Sequence, residues 1–502
     1  MSQEKEHVKK RRGKHVSAIR NQLHRGVKWT GISTLFITVV QIVQFAILAN
    51  LMGVAEFGLV GMITTIVIFA QILLDLGFGS AVIQKEQVNK RMLSTLFWIN
   101  MLVGLMLFFF LMAASPLIAG FFHEEELTKL IRLLAVMFLI APLGQQSQYM
   151  LQKALRFNEL AFVEMLATLL SFLTLIGLIF IMSPIHAYVL SQVLFYGLKG
   201  VLYFASYQKT WRPGFEFHLV ECREILSFGG FQLASRLVNR IGSNLDVILI
   251  GRFMGVEALG FYHLAFQIVT IPVLKLNPIL TRVAFPLFSK NQHDHASLKD
   301  GFLHMTKLLG LVTFPLLMGL VAVANVFIET FFGEKWLGAV PVVQIMAIVG
   351  LLRVLMNPNG SVLLAKGKAD LSFYWDTGVL LLYGGALLFA VRTNNLEVVA
   401  WTYVIVSLVN FFIGRWLLSW LIQLPLKEYA RNISKPFALS LIMTIVAYLI
   451  KEMTGYYFPV EAFWLLLITV GGAALVYLGL LRMAYPFDYS KIIKKQARGH
   501  GG

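Results

Sequence analysis

The run from Trp98 to Gly120, WINMLVGLMLFFFLMAASPLIAG, decides the fold class, because it carries no charged residue over a length that can cross a bilayer. About 20 consecutive apolar residues span the roughly 30 Å hydrocarbon core as a helix. Similar runs recur along the chain, for example from Phe437 to Ile450. Their apolar residues are continuous and do not alternate with a period of two, which excludes a transmembrane β-barrel. The sequence therefore predicts an all-α polytopic membrane protein.

The amino-acid composition agrees with this interpretation over the whole chain of 502 residues. The chain is 58% hydrophobic and 14% charged, and its mean hydropathy is +0.73. Soluble domains average about 45–50% apolar and about 25% charged residues. The pattern predicts about 14 transmembrane helices, at residues 26–50, 57–83, 93–120, 128–151, 159–182, 185–207, 223–251, 257–288, 303–328, 337–364, 370–391, 396–422, 434–450 and 459–484.

Lysine and arginine concentrate in every second predicted loop and in both tails, and the net charge is +17. Cytoplasmic loops of membrane proteins retain these residues, because cationic segments are poorly translocated. The alternation predicts that both termini are cytoplasmic, and it explains the charge without a nucleic-acid partner. The basic loop residues are Lys85, Lys90, Arg91, Lys153, Arg156, Lys209, Arg212, Lys290, Lys299, Lys366, Lys368, Lys427 and Arg431.

Short sequence matches divide the chain into two similar halves. The stretch Met52–Gly58, MGVAEFG, nearly repeats at Met254–Gly260, MGVEALG. Six predicted spans separate the copies, so the halves have the same orientation, related by an axis along the membrane normal. We predict two six-helix bundles around a central cavity, followed by two C-terminal helices. The predicted segments are a basic tail (1–25), an N-lobe (26–207), a cytoplasmic linker (208–222), a C-lobe (223–422), two further spans (423–485) and a basic tail (486–502).

Three motifs resemble the polysaccharide transporter family of the multidrug/oligosaccharidyl-lipid/polysaccharide exporter superfamily. They are Asp75–Gln84 (DLGFGSAVIQ), Asn244–Gly251 (NLDVILIG) and Ala284–Ser289 (AFPLFS). Within the family, the chain looks most similar to teichuronic acid and colanic acid exporters. The resemblance implies a flippase that moves an undecaprenyl-pyrophosphate-linked oligosaccharide to the outer leaflet by alternating access. It also implies a bacterial cytoplasmic membrane location, and possible partnership with a polysaccharide polymerase and glycosyltransferases besides membrane lipids.

Basic residues inside the predicted spans are the candidate substrate-binding site. Charge in the hydrocarbon region is costly and marks function by default. Arg236, Arg240, Lys275 and Arg353 all lie within spans of the second half. The arginine guanidinium can donate two parallel hydrogen bonds to a phosphate, and the lysine ammonium interacts with it as a point charge. Both side chains therefore suit a pyrophosphate head group. The alternative is structural pairing of each cation with an acid, such as Asp246 or Asp376, and Asp75 is expected to cap or orient helices.

Uncharged polar residues in two predicted spans extend the candidate site. Gln145 and Gln146 follow Pro142 and Gly144 in the fourth span, and Asn357 and Asn359 flank Pro358 in the tenth. Interrupted spans at matching positions of two repeats point to a binding region, although a kink with internal hydrogen bonds is the alternative. Arg282, near the cytoplasmic end of the eighth span, is a further possible cavity residue for which pairing or an interfacial position is favoured.

Other function classes are less compatible with the sequence. A cation-coupled multidrug exporter of the same superfamily is expected to have an acidic cavity, whereas the candidates here are basic. A lipid II flippase is the second alternative, and only the motifs disfavour it. No catalytic set, metal-ligand spacing or phosphate-binding glycine loop is evident, so we predict no enzyme activity, no metal and no cofactor. Coupling to a proton or sodium gradient, or to the membrane potential, is possible.

Overall fold

The computed structural model describes residues 2–85, 87–270, 294–356, 358–457 and 461–485. Throughout these ranges the chain forms helices joined by short connections, and no strand occurs in them. The all-α fold class is therefore confirmed.

The chain divides into two compact units, residues 1–260 and 261–502. We number the helices in chain order, α11 continuing across the boundary between the units. In the first unit the helices are α1 (Ser2–Leu51), α2 (Val54–Asp75), α3 (Phe78–Gln84), α4 (Lys90–Phe122), α5 (Glu126–Ala135), α6 (Met137–Ile140), α7 (Gln145–Lys153), α8 (Phe157–Ile179), α9 (Pro184–Tyr207) and α10 (Leu219–Phe253). Helix α11 is described over residues 255–270, of which 255–260 belong to the first unit. The remaining helices are α12 (His295–Phe332), α13 (Val340–Met356), α14 (Pro358–Ala365), α15 (Ala369–Ala390), α16 (Leu396–Ile422), α17 (Leu426–Tyr457) and α18 (Ala462–Ala484).

Within the described part of the chain, 12 helical segments are long and apolar enough to cross a membrane. Each overlaps one of the predicted spans. The predicted seventh span, α10, is absent from these 12 although it is 35 residues long, and it carries Arg236, Arg240 and Asp246 in its second half. The predicted eighth span begins with α11 and continues into residues outside the described ranges.

Two of the spans are broken within the described residues. The second is interrupted at Leu76 and Gly77, whose φ angles of 48° and 73° end α2 before α3 begins. In the fourth span, a 3-10 turn at Ala141–Gly144 separates α6 from α7. The break predicted in the tenth span falls at Asn357, which lies outside the described residues, so it stays a prediction. The sequence thus predicted the break in the fourth span and missed the break in the second.

A second repeated stretch, Phe121–Glu124 (FFHE) and Phe331–Glu334 (FFGE), follows the third predicted span of each half. In the first unit α4 ends at Phe122, and His123 follows with a φ of 58°. In the second unit α12 ends at Phe332, and Gly333 follows with a φ of 89°. Both helices therefore end in a turn with positive φ at the positions that the repeat equates. The lobe boundaries at 26–207 and 223–422 remain a prediction.

Helix α10 packs within the first unit, against α2, α3 and α4. Ion pairs and hydrogen bonds hold its N-terminal end, including Lys85 Nζ to Glu224 at 2.6 Å and Asn89 Nδ2 to Glu221 at 2.8 Å. The single cysteine, Cys222, is fully buried there, among residues that include Phe78 and Met92.

Candidate functional site

The break in the second span depends on a contact between two glycines. A Cβ atom added to Gly77 would lie 2.5 Å from the carbonyl oxygen of Gly229, and one added to Gly229 would lie 2.6 Å from the carbonyl oxygen of Leu76. Positive φ at Gly77 is also the conformation in which glycine is least strained. The backbone of α10 therefore rests directly on the break, with no side chain between them.

This contact brings Arg236 of α10 to Asp75, the last residue of α2, in an arrangement that we call the Asp75 centre. Arg236 Nη1 donates to Asp75 Oδ2, and Tyr149 Oη donates to Asp75 Oδ1. Arg236 Nη2 donates to Ser80 Oγ at 2.8 Å. A Cβ on Gly79 would lie 2.7 Å from the Tyr149 ring, so this glycine makes room for the tyrosine.

The Asp75 centre is a charge-neutral arrangement in the first unit. The side chain of Arg236 keeps 38% of its surface exposed, and that of Asp75 keeps 20%. Asp246 and Asp376 were the acids expected to neutralise the span arginines, whereas the acid beside Arg236 is Asp75. Asp75 joins three helical segments, as expected for a residue that orients helices. Whether Arg236 also contacts a substrate stays a prediction.

Arg240 lies one turn beyond Arg236 on the same helix. Unlike Arg236, it forms no ion pair with an acid among the described residues. It is exposed, and its side chain makes no hydrogen bond or ion pair within the described residues. A guanidinium in this state can bind an anion without first breaking a contact.

The second unit holds Arg353 of α13 in a different way, which we call the Arg353 centre. Its Nη2 donates to Tyr403 Oη, and its Cζ lies 5.1 Å and 5.5 Å from the ring centroids of Tyr403 and Phe266. Aromatic ring faces attract a guanidinium electrostatically but carry no net charge. Within the described residues, no acid lies in ion-pair distance of Arg353, so the centre remains cationic.

Sequence reasoning missed a second arginine in this unit, Arg415 of α16. Its side chain is buried, and Nη2 donates to Asn359 Oδ1. Asn359 is one of the predicted polar cavity residues, and here it contacts a guanidinium. Arg415 lies inside a predicted span, seven residues before its end, and the rule that marks charge inside a span as functional would have found it.

The polar residues of the fourth span lie inside the first unit. Gln145 Oε1 accepts a hydrogen bond from Asn100 Nδ2 at 2.7 Å. The side-chain amide of Gln146 is buried, and neither of its polar atoms has a partner within the described ranges. Close packing occurs at this break too, because a Cβ on Gly144 would lie 2.4 Å from the carbonyl oxygen of Gly200 in α9.

Three of the predicted site residues, Lys275, Arg282 and Asn357, lie outside the described residues. Among those described, no group of three or more His, Cys, Asp or Glu side chains is arranged to hold a metal ion.

Comparison with known proteins gives matches over most of the chain. A protein family described as "Polysaccharide biosynthesis protein" matches residues 47–341. The chain is 57% identical to the teichuronic acid biosynthesis protein TuaB of Bacillus subtilis (strain 168), over 95% of this chain and 99% of that protein. It is 32% identical to the lipopolysaccharide biosynthesis protein WzxC of Escherichia coli (strain K12), over 86% of this chain and 88% of that protein.

Solved structures with a similar fold have much lower sequence identity. The lipid II flippase MurJ, in its inward closed conformation, aligns with a TM-score of 0.73 and 16% identity, covering 91% of this chain and 98% of that one. An inward-facing multidrug resistance transporter of the MATE family aligns with a TM-score of 0.61 and 14% identity, covering 77% and 96%. These likenesses concern the fold, and they agree with a helical transporter architecture.

Proposed function

Because this chain belongs to the polysaccharide biosynthesis protein family of multi-pass membrane proteins, we propose that it is a flippase for a lipid-linked oligosaccharide. Membership confirms the resemblance found in the motifs, and with it the prediction that the chain is not an enzyme. In our proposal the substrate is an undecaprenyl-pyrophosphate-linked repeat unit, which moves from the inner to the outer leaflet of the bacterial cytoplasmic membrane by alternating access. The relative with 57% identity is named for teichuronic acid, so that polymer is the first glycan to test.

The observation that carries the proposal is the presence of guanidinium groups at span positions without a neutralising acid. Arg240 has no side-chain partner among the described residues, and Arg353 is held by a tyrosine hydroxyl and two aromatic faces. A pyrophosphate must lose its hydration to leave water, and fixed cations replace that hydration with charge-assisted hydrogen bonds. In this proposal Arg240 and Arg353 bind the pyrophosphate, while Lys275 is a further candidate. Arg236 would contribute only if its pair with Asp75 opened.

Charge-neutral substitution tests the binding role. Arg240→Gln and Arg353→Gln should each abolish glycan export, with lipid-linked glycan accumulating in the inner leaflet and normal protein abundance in the membrane. Arg252→Gln is the matched control, because Arg252 is also an arginine of α10 but contacts His123 and the Phe121 ring near the helix end. Its export should stay normal. Normal export by both test variants would refute the binding role, whereas loss of the protein would indicate a structural one.

The choice of substrate can be tested against both alternatives. A deletion strain that accumulates lipid II, or loses drug resistance, while exporting its surface glycan normally would favour the lipid II flippase or the multidrug exporter. We propose that transport is driven by a proton or sodium gradient or by the membrane potential. Collapse of each gradient in turn, with export measured in vesicles, identifies which one. Co-purification would test the proposed partners, a polysaccharide polymerase and glycosyltransferases.

We also propose that both termini are cytoplasmic, on the basis of the basic loops. The buried thiol of Cys222 is a poor reporter of topology, because it should resist labelling from either side. Single cysteines at exposed positions are better, at Lys209 and Glu125 in a Cys222→Ala background. An impermeant thiol reagent should label Glu125→Cys in intact cells and Lys209→Cys only after permeabilisation. The reverse pattern would contradict the orientation.

A further inference from the structure

Residues 211–218 connect α9 to α10 without forming a helix, and every second residue from 214 to 218 is attached to α4. The attachments are hydrogen bonds and one ion pair, with distances of 2.9–3.2 Å between the bonded atoms. They join Gly214 to Ser94 and Trp98, Glu216 to Arg91, and His218 to Thr95. The connection is therefore fixed to the first turns of α4, and the residues between the attachments are left on the outside of the unit.

The residues between and directly after these attachments are large and apolar, and they are exposed. Phe215 keeps 94% of its surface exposed and Val220 88%, while Phe217 and Leu219 are half-exposed. We call these four residues the linker strip. Single exposed apolar residues are normal, but a contiguous apolar patch marks a surface that an apolar partner covers.

The depth of the linker strip follows from the ring of Phe215, which stacks on Trp98 at a centroid distance of 5.2 Å and an interplanar angle of 25°. Trp98 begins the charge-free run of α4, whereas Arg91, seven residues earlier, pairs with Glu216. Seven helical residues span about 10 Å. The strip therefore lies between the level of the last charged residue and the level at which α4 becomes wholly apolar. Aromatic residues concentrate at this level of a bilayer.

The linker strip also continues an exposed apolar face of α4. Leu102, Met106 and Phe109 are exposed, and they follow Trp98 at helical spacing on one face. Such a face within a membrane span contacts lipid tails, which are as apolar as leucine. Because Phe215 stacks on Trp98, the strip extends this surface directly. Exposed cations on either side of the strip can attract anionic lipid head groups. They are Arg212 and Arg223.

We propose that the linker strip inserts at the boundary between the head groups and the acyl chains of the nearest leaflet and binds phospholipid there. Phe215 and Phe217 contact the upper acyl carbons, while the flanking arginines contact the phosphates. Because α10 begins at Leu219, within the strip, this insertion fixes the start of α10 to the membrane surface. The proposal goes beyond transport, and it depends neither on a glycan substrate nor on the side of the membrane at which the termini lie.

Spin labels on the linker strip test the insertion. In a Cys222→Ala background, Phe217→Cys and Val220→Cys each carry a nitroxide and leave the stacking of Phe215 on Trp98 in place. The full-length protein is placed in nanodiscs of phosphatidylethanolamine and phosphatidylglycerol. Molecular oxygen should relax both labels more strongly than a water-soluble nickel chelate, because oxygen dissolves better in lipid than in water.

Lys209→Cys in the same background is the matched control, because Lys209 is exposed on the same connection and lies outside the strip. The nickel chelate should relax this label more strongly than oxygen does, and several-fold more strongly than it relaxes the strip labels. Thermal unfolding of each labelled protein in detergent shows whether the fold is retained. If one strip variant does not fold, the other decides.

Three results would overturn the proposal. Stronger relaxation by the nickel chelate than by oxygen at the strip labels would show that water surrounds the strip. Protection from both reagents, with line broadening that disappears when unlabelled protein is mixed in, would show that a second copy of the chain covers it. Protection without such broadening would show that the rest of the same chain covers it. None of these measurements uses transport, so they stand whether or not the chain proves to be a flippase.

Discussion

Arg236 of the first unit and the buried or half-buried span arginines of the second unit are held in opposite ways. In the first unit, Arg236 forms an ion pair with Asp75, and the resulting centre is neutral. In the second unit, Arg353 and Arg415 contact tyrosine, asparagine and aromatic faces, so their charge remains. An ion pair neutralises the charge of an arginine, whereas neutral partners position the arginine and leave its charge for an anion. The difference separates a structural cation from cations that are available for binding.

The largest effect should come from separating the helices that form the Asp75 centre. Gly229→Ala places a methyl group 2.6 Å from the carbonyl oxygen of Leu76, so we expect α10 to shift away from the break and the contact between Arg236 and Asp75 to weaken. We expect a loss of about 3 kcal/mol in the free energy of unfolding, at the upper end for overpacking. Thermal unfolding of the purified protein in detergent measures it.

Gly230→Ala is the control for this variant, because a Cβ at Gly230 meets nothing within 4 Å. It should be neutral or stabilising by up to about 1 kcal/mol, since alanine favours a helix over glycine. Equal losses in the two variants would show that the glycine contact does not hold the centre together.

A smaller effect should follow from removing the acid alone. Asp75→Asn leaves Arg236 without its counter-charge, and removing one partner of a fully buried pair costs about 3–5 kcal/mol. Because 38% of the Arg236 side chain is exposed, we expect a loss of about 1–2 kcal/mol. The double variant Asp75→Asn/Arg236→Gln should recover most of this loss in the same unfolding measurement. Losses that simply add would show that the two residues are not coupled.

The smallest effect should occur in the Arg353 centre. Tyr403→Phe removes the hydroxyl that accepts from Arg353 and keeps the aromatic face, so we expect a loss of about 1 kcal/mol. Tyr374→Phe, at an exposed tyrosine, should change the stability by less than that. If Tyr403→Phe were as destabilising as Asp75→Asn, the distinction between the Asp75 centre and the Arg353 centre would fail.

The helices were predictable from the sequence because apolar length alone determines where a span can form. The run from Trp98 to Gly120 lies within α4, and the break at Pro142 follows from the geometry of proline. The break at Gly77 was missed, because a single glycine in an apolar run does not by itself end a helix.

The partners of the charged residues were harder to predict than the helices. Asp75 and Arg236 are far apart in the sequence, and the packing of α10 against α2, which includes the contact at Gly229, brings them together. Sequence separation gives no information about which of several acids will be the neighbour of an arginine. The polar residue Asn359 was found, but its contact with Arg415 depends on the packing of α14 against α16, which no local pattern specifies.

The glycine contacts at Gly77 and Gly144 have a mechanical consequence. Side chains at an ordinary helix crossing can change rotamer and so absorb a small displacement of one helix. Two backbones in direct contact cannot absorb a displacement in this way. A tilt of α10 at Gly229 therefore displaces the carbonyl group of Leu76 directly. In the same way, a tilt of α9 at Gly200 displaces the turn that precedes α7. Each of these two broken spans therefore has a rigid backbone contact at its break, about which the helices on either side can rotate.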